Sequence, residues 1–213
     1  MRGLVRVGAA VPSLALGNVK ENMKRHLAMM REAKEQHVSI VTFPELSLTG
    51  YTCGDLFFQR RLLDDVTDAL LALKDEMPEG ILAVVGAPLE IEGALYNCAV
   101  VLHKGEIISA VSKTFLPNNG EFYEKRWFQS GDARRDASVA IPKLKTDVCR
   151  QAIFETEDGV RFGIELCEDL WAPLPPSTML SVEGAEIILN LSASNELLSK
   201  REYRQQLISQ QSA

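Results

Sequence analysis

Two periods run through the order of apolar and polar residues. LVRVGAAV at 4–11 is an apolar, β-branched run and predicts a first strand. From about 19 to 36 the apolar positions Val19, Met23, Leu27 and Met30 recur every three or four residues, which predicts a helix with Asn18 as its N-cap. VSIVTF at 38–43 reads as the next strand. A second helix near 59–75 carries Leu62, Leu63, Val66, Leu70 and Leu73 inward and leads to the strand ILAVVGAP at 81–88. This β-α-β-α-β order predicts an α/β sheet. Between 88 and 166 the pairs Glu92-Gly93, Lys104-Gly105 and Asp158-Gly159 each sit between strand-like runs. Such pairs make hairpins rather than crossovers, so the sheet is expected to be mixed. After Cys167 come a bend rich in proline (Pro173, Pro175, Pro176), a short helix near 176–183, the strand EIILNLSAS at 186–194 and a polar helix from about 197. With no repeat or linker in between, one domain is expected.

Composition narrows the classes of partner. A chain of 213 residues that is 46% hydrophobic can bury one substantial core. A net charge of −6 disfavours duplex nucleic acid and anionic membrane surfaces, which need a concentrated basic face. The basic pairs Lys24-Arg25 and Arg134-Arg135 are short and read as solvated. No apolar run approaches the roughly 20 residues of a membrane span. The opening residues have some features of a secretory leader, but Arg6 and Pro12 interrupt the run, and the strand reading is preferred. Cys53, Cys98, Cys149 and Cys167 form no CxxC pair, and His26, His37 and His103 have no zinc-like spacing. Free thiols in a reducing cytoplasm, with no metal, are expected.

Three ionisable residues fall where strands end: Glu45 after VTFP, Lys113 after IISAVS and Cys167 after VRFGIEL. Strand ends in α/β sheets gather functional side chains. Singly, Cys167 also reads as a small core residue, and Glu45 and Lys113 as solvated. Together they make a complete set for acyl transfer. A thiol attacks as its thiolate and needs a base, which a partly desolvated carboxylate supplies. The resulting oxyanion needs a positive partner, which an ammonium and a backbone N–H supply.

The segments FPELSLTGY (43–51), SKTFLPNNGEFYEKRWF (112–128) and LCEDLWAPLPPS (166–177) resemble the glutamate, lysine and cysteine motifs of the nitrilase, or carbon-nitrogen hydrolase, superfamily. TGYTCGDLF, GEFYEKRWF and CEDLW before a proline-rich bend are similar to the glutaminase domain of bacterial glutamine-dependent NAD+ synthetases. The resemblance implies Glu45 as general base, Lys113 as oxyanion partner and Cys167 as the nucleophile that forms a thioester with the glutamine side chain. It further implies Glu121, eight residues after Lys113, as a second glutamate that positions the lysine. Glu168, Trp171, Ser194 and Arg201 are implied in holding glutamine, with Lys200 as the alternative to Arg201. Asn119 departs from the family, where many relatives carry tyrosine. Tyr51 is either a lining residue of an ammonia passage or a packing residue.

The fold so implied is a nitrilase-like α-β-β-α sandwich, α/β with mixed sheets. In the family this domain continues with further strands and is followed by a synthetase domain. Residues 1–213 are therefore expected to be a truncated carbon-nitrogen hydrolase (glutamine amidotransferase) domain, incomplete at its C-terminus. The glutaminase reaction itself needs no cofactor. ATP, Mg and deamido-NAD+ would belong to the synthetase domain, and the expected partners are glutamine, that domain and a second copy of the chain. A stand-alone ω-amidase-type enzyme and an inert scaffold of the same fold remain open.

Overall fold

The computed structural model describes residues 4–133 and 138–213; the Arg134-Arg135 pair lies outside them. The first three strands, β1 (Val7–Ala9), β2 (Ile40–Thr42) and β3 (Leu82–Ile91), are parallel neighbours, joined through α1 (Val19–Glu35) and α2 (Arg60–Glu76). Asn18 caps α1 by accepting a hydrogen bond from the Glu21 backbone N–H at 3.2 Å. β4 (Ala94–His103) and β5 (Glu106–Ser112) return antiparallel. Their turns are the expected dipeptides: Glu92 and Gly93 have φ of 51° and 80°, Lys104 and Gly105 50° and 76°. Both turns therefore keep positive φ at two successive residues, which matches the twist of the flanking strands. β6 (Ser138–Ile141) and β7 (Thr146–Cys149) complete a mixed seven-stranded sheet in the order β1-β2-β3-β4-β5-β7-β6. β8 (Ile153–Glu155), β9 (Arg161–Leu166) and β10 (Ile187–Leu191) form a second sheet in the order β10-β9-β8. The Asp158-Gly159 turn joins β8 to β9 through a longer loop, closed by Thr156 and Val160 at 2.9 Å. α3 (Pro176–Val182) and α4 (Lys200–Gln211) complete the chain, α4 starting three residues later than the sequence pattern suggests.

Alternation along the strands sorts the core into two layers. Ala83, Val85 and Ala87 of β3 and Val100 and Leu102 of β4 pack with Leu27 and Met30 of α1 and Val66, Leu70 and Leu73 of α2. The intervening Val84, Ala99 and Val101 face the other way and meet Phe162, Ile164, Leu166, Leu189 and Leu191 of the small sheet. Strands buried on both faces have to be apolar almost throughout, which is why ILAVVGAP and CAVVLH show no polar alternation. On the far side of the small sheet, α3 lies so close that a Cβ on Gly163 would come within 2.8 Å of Leu180. The layers are thus helices, large sheet, small sheet, helix, as the resemblance implied. Among the described residues no helix is long and apolar enough to cross a membrane.

The topology brings one end of both sheets together. β2 and β5 point the same way in the large sheet, as β9 and β10 do in the small one, and the segments after them meet: Ala193, after β10, donates to Glu45, after β2, and Glu45 contacts Lys113, after β5. Yet β2 and β5 stand three strands apart, about 14 Å at the usual spacing. The chain after β2 spans part of that gap by folding over β3 at Gly86. Leu48 N–H donates to Gly86 O at 3.1 Å, and a Cβ on Gly86 would lie 2.3 Å from Pro44 O and 2.4 Å from Leu46 N. Those contacts are with backbone, which cannot rotate aside. Gly86→Ala is therefore expected to destabilise the fold by about 1–3 kcal/mol in denaturant unfolding. Gly8→Ala, whose added methyl meets only the Val38 side chain at 3.2 Å, is expected to cost clearly less. Equal costs would show that the crossing does not depend on Gly86.

Candidate active site

Glu45 lies in the crossing, Lys113 follows β5 and Cys167 follows β9, and the three side chains meet between the two sheets. Lys113 is fully buried, and Glu45 and Glu124 are each 1% exposed. Lys113 Nζ lies 2.5 Å from Glu45 Oε1 and 2.7 Å from Glu124 Oε1. Burial alone would favour the neutral amine, but the two carboxylates and Cys167 outweigh it and hold Lys113 above its ordinary pKa. Further donors serve the remaining lone pairs. Asn97 Nδ2 of β4 donates to Glu45 Oε1 at 2.7 Å, and the Ala193 backbone N–H to Glu45 Oε2 at 3.1 Å. Tyr51 Oη donates to Glu124 Oε1 at 2.7 Å. Burial raises the pKa of Glu124 against the opposing pull of Lys113, and its Oε2 is buried with no hydrogen-bond partner among the described residues.

Cys167 sits in a short 3₁₀ turn, Cys167–Trp171, with φ of 44°. A non-glycine residue there is strained by about 1–2 kcal/mol. Cys167 is 6% exposed, and its thiol lies within the influence of Glu45, Lys113 and the Ala193 N–H. Burial, then the Glu45 carboxylate, push the thiol up to about 12, while Lys113 and the Ala193 N–H pull the other way. The nucleophile candidate therefore rests as a neutral thiol beside a proton acceptor. The Lys113 ammonium lies close enough to bear on charge at Cys167. Such a site can carry an acyl group from nitrogen to sulfur to water.

The other expected residues fare differently. Glu121 is exposed, and Glu124, three residues on, takes the place beside Lys113 foreseen for it. The loop explains the shift: Phe122 N–H donates to Asn119 O and Glu124 N–H to Pro117 O, and the chain folds back so that position 124 faces inward. Glu168 is half-buried beside Cys167, and burial raises its pKa. Trp171 stacks on Tyr203 at 5.5 Å. Ser194 is half-buried after β10, directly beyond Ala193. Arg201 is exposed, whereas Lys200 holds its ammonium 5.4 Å from the Trp171 ring centroid and 6.0 Å from that of Phe122. Asn119 is also exposed; Phe122, three residues on, is set edge-on to Tyr51 at 6.1 Å. Neither Phe122 nor Asn97 was anticipated. A lone asparagine inside the apolar run of β4 was the available signal for Asn97.

Comparison with known proteins bears on this geometry. Residues 6–213 match the carbon-nitrogen hydrolase family profile. The chain is 36% identical over 214 residues to a glutamine-dependent NAD(+) synthetase of Mycobacterium bovis, covering 99% of this chain and 31% of that protein. It is 30% identical over 195 residues to the corresponding Homo sapiens enzyme, covering 88% of this chain and 28% of that one. Among solved structures, a glutamine-dependent NAD(+) synthetase from Cytophaga hutchinsonii superposes with a TM-score of 0.82 at 28% identity, over 96% of this chain and 33% of its own. A nitrilase-superfamily amidase from Nesterenkonia gives 0.76 at 16% identity over 97% of this chain and 71% of its own, a likeness of fold. The chain thus spans about a third of the length of the synthetases it matches. With the family profile extending over nearly every residue and the same two-sheet fold in its relatives, the chain belongs to the carbon-nitrogen hydrolase family, as a homologue of one region of the glutamine-dependent NAD+ synthetases.

Proposed function

We propose that this chain hydrolyses the side-chain amide of glutamine through a Cys167 thioester. The observation that carries the reading is the buried Glu45–Lys113–Glu124 cluster beside the thiol of Cys167, in a chain homologous to glutamine-dependent enzymes. Glu45 takes the thiol proton as sulfur attacks the amide carbon, and the oxyanion forms against the Lys113 ammonium. Glu45 then gives that proton to the amide nitrogen, the C–N bond breaks and ammonia leaves. Water, deprotonated by Glu45, attacks the thioester; the C–S bond breaks, the sulfur takes the proton back, and glutamate departs. Glu124 Oε2, buried and unpartnered, is suited to accept an N–H from the carboxamide. Lys200, between Phe122 and Trp171, suits the substrate α-carboxylate, and Glu168 its α-ammonium. The ammonia would feed amidation of deamido-NAD+ by a synthetase domain, the part that would use ATP and Mg2+.

Three outcomes follow. Glutamate release from glutamine should exceed turnover of other ω-amides, and diazo-oxo-norleucine should label Cys167, with labelling lost in Glu45→Gln and Lys113→Ala when read by mass spectrometry. Preference for another ω-amide would convert the reading to a stand-alone amidase, and labelling at Cys53 or Cys98 instead would remove Cys167 as nucleophile. Secondly, Glu124→Gln should lower kcat by roughly 10²-fold, while Glu121→Gln stays within about threefold; the reverse order would restore Glu121. The third outcome concerns pH. Because the folded thiol is pushed up to about 12, the rate of Cys167 alkylation by iodoacetamide should climb from pH 7 to 10 without a plateau. In the urea-unfolded chain it should level off near the ordinary thiol value of about 8.5. Glu45→Gln removes a negative neighbour, so it should lower the alkylation midpoint while hydrolysis collapses. A plateau below pH 8 in the folded wild type would mean that the thiolate is preformed.

A further inference from the structure

We infer that Asp169 is a positioning residue that fixes the separation between Lys113 and Cys167. These two residues come from different sheets and different parts of the chain, and their spacing is not set by any strand ladder, because β5 and β9 are not hydrogen-bonded neighbours. Asp169 supplies a direct hydrogen-bonded tie. Its carboxylate is 1% exposed. Oδ1 accepts the Thr114 N–H at 3.1 Å and the Phe115 N–H at 2.7 Å, the two amides directly after Lys113. Oδ2 accepts the Leu166 N–H at 3.0 Å, the amide directly before Cys167. One rigid carboxylate, about 2.2 Å from oxygen to oxygen, therefore clamps both flanking backbones at once.

The choice of residue type follows from the partners. All three are N–H donors, and an ionised carboxylate is the side chain that accepts on both ends and donates on neither. Asparagine keeps the shape but must turn its NH₂ toward either the Thr114–Phe115 pair or Leu166, setting donor against donor. One side of the clamp then opens. The neighbouring buried carboxylate, Glu165, supplies a matched comparison: it is 1% exposed and two residues before Cys167, but it accepts from Ser177 N and Asn190 Nδ2 at 3.1 Å, on the α3 side of the small sheet.

The consequence for chemistry rests on the hydrolase reading above, but the consequence for geometry does not, and the test separates them. Cys167 labelling by iodoacetamide at pH 8.5, read by mass spectrometry, reports the cation beside the sulfur whether or not glutamine is turned over. Asp169→Asn is expected to slow labelling at least tenfold, because the thiolate loses the nearby ammonium, and Glu165→Gln by less than threefold. In a Lys113→Gln background, Asp169→Asn should change the rate by less than twofold, since the cation whose distance it sets is already gone. A general loosening of the fold would expose the thiol and speed labelling in both backgrounds alike, and that result overturns the proposal, as does labelling of folded Asp169→Asn within twofold of wild type. If Asp169→Asn does not fold, Asp169→Glu, which keeps the charge and displaces the oxygens by one methylene, is held to the same thresholds. For glutamine hydrolysis, Asp169→Asn should lower kcat about 100-fold with KM changed less than threefold. If wild type turns over no glutamine yet the labelling cycle shows the stated coupling, the substrate reading fails and the clamp stands.

Discussion

The arrangement depends on one ammonium group with no access to water. Bringing Lys113 into the interior costs several kcal/mol, and bringing in Glu45 and Glu124 costs a similar amount for each. Only their mutual contact at 2.5 and 2.7 Å offsets this, together with the N–H and O–H donors that satisfy the remaining oxygens. The cluster turns on the lysine: without Lys113 two carboxylates would be left buried and unpaired, whereas without either carboxylate one ion pair remains. That requirement reaches outward into the fold. It calls for Asn97 in the middle of an otherwise apolar strand, for the crossing at Gly86 that carries Glu45 over β3, and for the parallel pairing of β9 with β10 that sets Ala193 beside Cys167.

The same charges determine how the sulfur rests. Burial weighs most against a thiolate at Cys167, the Glu45 carboxylate adds to it, and Lys113 opposes both. A cysteine set among cations is held as thiolate and reacts with many electrophiles. On the proposed mechanism the thiol stays protonated until a substrate occupies the site, and Glu45 receives the proton in the same event. Selectivity then comes from desolvation and the order of charges, and the nucleophile needs no permanent activation.

Much of this was legible in the sequence, for reasons that differ by residue. Glu92-Gly93 and Lys104-Gly105 announced their hairpins because positive φ at two successive positions is a chemical demand on the residue type. Glu45, Lys113 and Cys167 were legible because each ends a strand, and strand direction fixes where the end lies. Glu124 was hidden, since the loop from Leu116 to Tyr123 has no period, and counting eight residues from Lys113 says nothing of which side chain turns inward. Lys200 and Arg201 illustrate a related limit. Successive helical residues point about 100° apart, so the identity of the inward residue depends on where α4 begins, and the pattern placed that start three residues early.

Two strained residues bracket the cluster, and the structure sustains them differently. Leu46, directly after Glu45, has φ of 52°, and Cys167 has 44°. Glycine would relieve either turn, but at 46 it would empty a fully buried leucine site whose burial contributes about 2 kcal/mol, enough to cover the strain. Cys167 has no comparable apolar return, for its side chain is small and lies against carboxylates. Its conformation is held instead by hydrogen bonds around it: Leu166 N–H to Asp169 and the β9–β10 ladder ending at Leu166 and Leu191. The strain at 46 is thus carried by the core, and the strain at 167 by polar groups of the site itself. It follows that changes to those polar groups act on the backbone of Cys167 as well as on its charge environment.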